Sequence, residues 1–430
     1  MADETDLTAV EGEVIPPEAG AQSLREYVRA WWQQVRGGDA GLLPVVIGMV
    51  IVAAAFEIAS PLFLSPGNLV NLFIQSAVFI VLAVAEGFVL LLGEIDLSIG
   101  YVAAIGGVIA SLLVQPDFNW PWWLAIFVAV AACAAIGLLQ GAIITGLNLP
   151  SFVVTLGGYL FWFGVMIVLL GAAGIVSLNS PTQANQQALV AIVNSNIDPL
   201  LGWLGLLVIV VVLAVALWLP DIRRRRNGLV AQPIGLLALK TVLIVVAGVL
   251  VVGISNVNRS RFTPVEGVPW VVPAVLGLIG LWTVLLERTQ FGRHVYAVGG
   301  NAEAARRAGV SVPIVRIWGF VLCSLTAGIG GVIYASWQGG MSTNVNGGQL
   351  VLFAVAAAVI GGTSLFGGRG RAIHGLLGGL VIGEIYNGLY LLGFQIQYQL
   401  MATGLVLIAA VVVDALSRRG AISGSGATTT

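Results

Sequence analysis

The sequence predicts an all-α, polytopic membrane helix bundle of about 12 transmembrane helices, and three observations carry that expectation. Hydrophobic residues make up 58% of the 430-residue chain and charged residues 9%, against about 25% charged in soluble domains. Apolar runs long enough to span a bilayer, roughly 17–25 residues each, recur from end to end. Threading those runs in order puts 17 of the 19 Lys and Arg residues on one side. That segregation is what the positive-inside rule demands of a membrane protein, whereas the net charge of −1 says little by itself.

Residues 1–40 hold eight of the 20 acidic residues, together with Pro16, Pro17 and Gly20. They read as a disordered cytoplasmic tail, followed by an interfacial helix over 24–35 that carries Trp31 and Trp32. A basic start and a short apolar core do not open the chain, so a cleavable signal peptide is not expected. The membrane domain, 41–419, follows. Its apolar segments lie near 41–60, 69–92, 97–115, 122–146, 152–176, 200–219, 235–255, 270–287, 312–336, 349–365, 373–392 and 397–415. The stretch from Gly93 to Ser98 is a turn or an unwound helix, and 349–365 is short. Residues 420–430 form a flexible tail rich in Ser, Gly and Thr.

With the N-terminus cytoplasmic, the inner side takes Arg25, Arg29, Arg36, Arg223–Arg226, Lys240, Arg288, Arg293, Arg306, Arg307, Arg316, Arg369, Arg371, Arg418 and Arg419. Only Arg259 and Arg261 fall outside. Both termini and the polar island Arg288–Gly309 are therefore expected in the cytoplasm. In that island Asn301 is a good N-cap, Glu303 stands in the first turn, Arg306 and Arg307 in the last, and Gly309 ends the helix. A helix so short is marginal alone. It is either a solvated connector or a docking element.

Gly93-Glu-Ile-Asp-Leu-Ser-Ile-Gly100 sets two carboxylates between membrane segments, where a charge must be solvated, paired or capping a helix. Asp96 or Ser98 can cap the next helix; Glu94, Asp96 and Ser98 are equally candidates for a translocation path or gate. Glu57, Glu86 and Glu384 lie in or at the ends of apolar runs without a sequence-near cation, and Glu86 and Glu384 suit a polar lumen or an interhelical hydrogen bond. Gly375, Gly379 and Gly383 recur every fourth residue, which smooths one helix face for close packing. Cys133 and Cys323 read as small core residues, and two histidines allow no histidine cluster. Gly361-Gly-Thr-Ser-Leu-Phe-Gly-Gly-Arg-Gly-Arg371 is glycine-rich but lacks the phosphate-loop arrangement and follows no strand. No nucleotide motif occurs, so transport driven by ATP would need hydrolysis on another chain.

Four stretches stand in the order and spacing of the sugar ABC-transporter permeases: 93–100, Leu149-Pro-Ser-Phe-Val-Val-Thr-Leu-Gly157, 291–309 and 361–371. Over about residues 42–419 the chain resembles the ribose/xylose/arabinose subfamily of binding-protein-dependent permeases. The resemblance implies a ten-helix type II importer-like core, with 200–260 as a two-helix insertion. It also implies that Gly300, Asn301, Glu303, Arg306, Arg307 and Gly309 belong to a coupling helix seated in a cleft of an ATP-binding cassette subunit. Two departures, Glu94 where the subfamily usually has Gly and the Arg223–Arg226 insertion, are similar to the xylose-type branch.

The expected protein is thus a multi-pass permease of a bacterial inner membrane, importing a monosaccharide, D-xylose before ribose, arabinose, galactose or glucose, by alternating access. Its implied partners are the ATP-binding subunit carrying ATP and Mg, an extracytoplasmic sugar-binding protein, a second permease copy and membrane lipid. No nucleic-acid partner, catalytic residue, cofactor or metal site is expected in the chain itself. An ion-coupled secondary transporter, using Glu57, Glu86 or Glu384, is the competing class.

Overall fold

The computed structural model describes residues 24–36, 41–229, 231–260, 264–395, 397–402, 404, 405 and 408. The expected tails at 1–23 and 420–430, and most of the segment at 397–415, lie outside the described residues.

The chain opens with α1 (Leu24–Arg36), α2 (Leu43–Ala59), α3 (Pro66–Leu91), α4 (Ile99–Leu113), α5 (Trp122–Gly146) and α6 (Ser151–Leu170). A strand β1 (Ile175–Ser177), a surface helix α7 (Ala184–Asn194) and a strand β2 (Asn196–Ile197) then precede α8 (Pro199–Arg226) and α9 (Ile234–Ser255). After β3 (Val268–Pro269) come α10 (Val271–Arg288), α11 (Gln290–Gly300), α12 (Ala302–Arg307) and α13 (Val312–Gln338). The described chain closes with β4 (Gly340–Ser342), α14 (Gly347–Ile360) and α15 (Ala372–Leu391). Eleven of the twelve expected spans are helices; α3, α5, α6, α8, α9, α10 and α13 are long and apolar enough to cross a membrane. α1 coincides with the expected interfacial helix.

The core is built on α3 and α13. α3 starts cleanly because Pro66 occupies its first turn and Ser65 Oγ accepts the Asn68 N–H. α13 packs against α3, α4 and α5, and α15 packs against α3 and α14. The glycine stripe of α15 meets α3 as expected, with Gly375 against Val84, Gly379 against Ile80 and Gly383 against Ser76. Such close approach matters in lipid, where association rests on packing and not on an apolar surface leaving water. Phe79 meets Phe353 and Tyr386 edge to face, at 5.1 and 5.4 Å between ring centres, which joins α3, α14 and α15.

At one end of the bundle, antiparallel pairs join distant loops, with Val176 opposite Met341 and Ile197 opposite Val268. Arg259 is held there by the carbonyls of Ser255 and Gly267 and by Asn196 Oδ1. Satisfied in this way, an arginine on the sparsely basic side serves as a structural clip. The opposite end carries the sequence motifs.

Candidate functional site

The polar island is two helices, not one. α11 is capped by Thr289, whose Oγ1 accepts the Gly292 N–H, and it ends at an extended residue, Asn301. Asn301 then caps α12, its Oδ1 accepting the Ala304 N–H at 2.9 Å, as the sequence predicts. Gly309 closes the turn at φ +86°, where a glycine is at ease. On the exposed face, Arg306 donates to both oxygens of Glu303 (2.9 and 3.0 Å) and Arg307 Nε donates at 3.1 Å. These guanidinium contacts hold the Glu303 carboxyl below the usual carboxylate range, Arg306 first and Arg307 second. Beneath, Ala305 is buried.

Three of the motifs meet around α11, and the fourth, 149–157, joins them through the break at 92–98. Gly299 lies so close to the Leu91 carbonyl that a Cβ there would overlap it, and Gly368 N–H donates to the same carbonyl at 2.9 Å. Gly93 rests on Phe366 and Gly367, and Tyr296 Oη donates to the Gly370 carbonyl at 2.8 Å. Burial pushes the Tyr296 phenol above its usual range, Glu287 adds to this, and Arg371 opposes it. Arg371 in turn pairs with Glu287 at 2.7 Å. From the remaining motif, Thr155 Oγ1 donates to the Ile95 carbonyl, and Ser151 Oγ accepts the Ile95 N–H at the limit of hydrogen-bond length. Helices α11 and α12, the break at 92–98, the start of α6 and the loop at 361–371 therefore form one junction at one end of the bundle.

The chain matches the family described as branched-chain amino acid transport system permease components, over residues 68–223 and 237–411. It belongs to that family. Among its relatives, the xylose transport system permease protein XylH of Escherichia coli K12 is 31% identical over 397 residues, covering 89% of this chain and 95% of the relative. The ribose import permease protein RbsC of the same strain is 28% identical over 390 residues (91% and 96%), and the D-allose transport system permease protein AlsC is 27% identical over 369 residues (86% and 90%). No solved structure matches the chain.

Behind the junction the permease buries a polar chain. Glu86 Oε1 accepts the Asp96 N–H at 3.2 Å, Asp96 Oδ1 accepts both the Ser98 N–H and the Ser98 hydroxyl, and Ser98 meets Gln140. Of Asp96 and Ser98, the two caps the sequence offers for α4, Ser98 is not used. Ser98 stands at the N-cap position in helical conformation and makes no side-chain cap, because its hydroxyl is taken by Asp96 and Gln140. Asp96 supplies the acceptor instead. Glu86 Oε2 is buried without a hydrogen-bond partner, as is Glu384 Oε2 on α15. Glu57 differs, since its carboxylate accepts the Leu64 N–H at 2.8 Å.

Between α3, α4, α13 and α14 lies an apolar packing gap too narrow to hold a water molecule, lined among others by Val78, Leu82, Ala103, Gly331 and Tyr334. None of Glu86, Asp96 or Glu384 lines it. Val78, Leu82 and Glu86 are four apart on one face of α3. Cys133 and Cys323 are buried free thiols. Among the described residues no group of three or more His, Cys, Asp or Glu side chains is placed to hold a metal ion. Sequence reasoning left out Gln140, Tyr296, Ser151 and Thr155 as parts of the junction. It placed Arg316 at an inner helix end without a partner, yet Arg316 meets Glu94 at 3.2 Å. Such contacts join residues from 42 to 222 positions apart, beyond the reach of any local pattern.

Proposed function

We propose that the chain is the membrane-spanning permease of an ATP-driven, binding-protein-dependent monosaccharide importer. The observation that carries this reading is α12: a capped helix whose charged face is exposed and which follows directly on α11, the helix seated on the end of α3 and the loop at 361–371. A docked partner on Glu303, Arg306 and Arg307 would move the break at 92–98 through contacts already in place. The function requires only that the partner bind this face differently in its open and closed states. ATP and Mg belong to that partner, an ATP-binding cassette subunit. A second permease copy and an external sugar-binding protein complete the assembly, in a bacterial inner membrane with both termini cytoplasmic.

D-Xylose is the favoured cargo. Glu94 and the α8–α9 insertion support it, while ribose and allose stay in play because relatives that carry those names are of similar identity. The second reading, ion-coupled transport, is favoured by one observation: the buried Glu86 and Glu384 carboxyls each keep an oxygen without a partner. Uptake of labelled xylose, ribose and allose, with and without the ATP-binding subunit and with an uncoupler, separates the readings. Dependence on the subunit is the expected result; uptake that needs no subunit and collapses with the uncoupler would overturn it. For orientation, labelling of Asn227→Cys should require a permeabilised membrane.

A further inference from the structure

The break at 92–96 is seated on one face of α13. Leu92 lies against Gly319, where a Cβ would strike its side chain; Glu94 meets Arg316; and Asp96 Oδ2 lies 3.9 Å from Cys323 Sγ. Residues 316, 319 and 323 fall on one helical stripe, and 92, 94 and 96 are alternate residues of a stretch whose central part, 94–96, is without regular structure. Two of these contacts are apolar or weak. The third is an ion pair, 3.2 Å between Arg316 Nε and Glu94 Oε1, with the side chains 30% and 13% exposed. The Nε–H is not aimed at the carboxylate as a hydrogen bond, so attraction between charges holds the pair together. In this half-shielded setting that attraction is stronger than at an open surface.

Arg316 is also the first charged side chain after α12. Only the Gly309 turn and the first turn of α13 separate them, and the turn is tied back by Val310 N–H donating to the Ala305 carbonyl at 3.0 Å. The end of α12 is thus tied directly to the start of α13, on which Arg316 stands. Glu94 is anchored in the opposite direction: its N–H donates to the Val89 carbonyl, and Gly93 beside it rests on Phe366.

We infer that Glu94 and Arg316 form a charged strut that passes movement of α12 into the break at 92–98, and so into the buried chain of Asp96, Glu86, Ser98 and Gln140. Both are positioning residues for transport; neither is assigned contact with cargo. This rests on the docking role of α12, and the test keeps the two apart. First, uptake by the unaltered chain is measured with and without the ATP-binding subunit; independence from it removes the docking role itself.

Next come Glu94→Arg, Arg316→Glu and the double exchange, each scored for membrane level, co-purification of the ATP-binding subunit, ATP hydrolysis and sugar uptake. Each single exchange should keep membrane level, subunit and hydrolysis but lower uptake about tenfold or more, within the range of coupling energies between sites. The double exchange should recover most of it, the signature of a pairwise interaction. Uptake unchanged in the single exchanges, or no recovery in the double, overturns the strut. Single exchanges that vanish from the membrane and return in the double would make the pair a folding clip and overturn it equally.

Discussion

Helices α3 and α8 have similar lengths and both are strongly apolar, yet 89% of the most apolar window of α3 is buried and only 6% of that of α8. Apolarity alone does not distinguish the two, because lipid accepts an exposed Leu or Val as readily as a protein core does. What separates them is grain. α3 is received by glycine stripes on α15 and α13, among them Gly379, Gly383 and Gly330, and carries Glu86 and Ser76 inward. α8 is a run of Leu and Val whose polar anchors come at its C-terminal end, where Asp221 pairs with Arg225 and accepts the Gln232 N–H. The first region is machinery packed by small residues. The second is a hairpin exposed along most of its length, and it touches the core mainly through α9 on α3.

The largest effect expected from this contrast is on folding. Gly331→Leu would drive a Cβ into the Ala103 carbonyl, and overpacking of this kind costs about 1–3 kcal/mol or more. The variant should be lost from the membrane or melt early in detergent. A Cβ at Gly205 on α8 meets nothing within 4 Å, so Gly205→Leu should leave yield and melting temperature unchanged. Equal loss in both variants would erase the distinction.

Glu303→Lys should come next, with a different signature. The residue is exposed on α12 and opposes nothing in the core, so membrane level should stay normal while the ATP-binding subunit no longer co-purifies and uptake is abolished. Reversing the charge also places a cation at a helix N-terminus, the unfavourable end of its dipole. Undiminished uptake with intact co-purification would remove α12 from transport.

A smaller effect is expected from replacing Arg223–Arg226 with Gln. An inner polybasic segment attracts anionic headgroups at about 1 kcal/mol per charge, so insertion and expression should fall while apparent KM stays. A large KM change at normal membrane level would tie the hairpin to cargo. Smallest is the response to acid. Because Arg306 and Arg307 hold the Glu303 carboxyl below its ordinary range, its ionised form persists through that range, and the support it gives α12 is lost only as the pH falls through the lowered value. Co-purification of the subunit should therefore be flat from neutral pH down to the ordinary glutamate range and weaken below it. A decline that begins near neutrality would point to a different titrating group.

Period and composition settled much of this protein in advance. Span lengths, the capped helix at 301–307, the glycine face of α15 and the four motifs are local patterns, each fixed by residues within a few turns of one another. Helix α11 was missed because Gln290–Gly300 carries three glycines; its cap, Thr289, is the signal that could have shown it. Which apolar helices are buried, and which residues the motifs meet, were decided only in three dimensions. A salt bridge such as Glu94 with Arg316 joins positions 222 apart, and its energy depends on the packing of the irregular break at 92–98 against α13, which brings them together. Likewise Ser98, a natural cap by sequence, turns its hydroxyl to Asp96 and Gln140 because a buried carboxylate and amide compete for it more strongly than the helix end does.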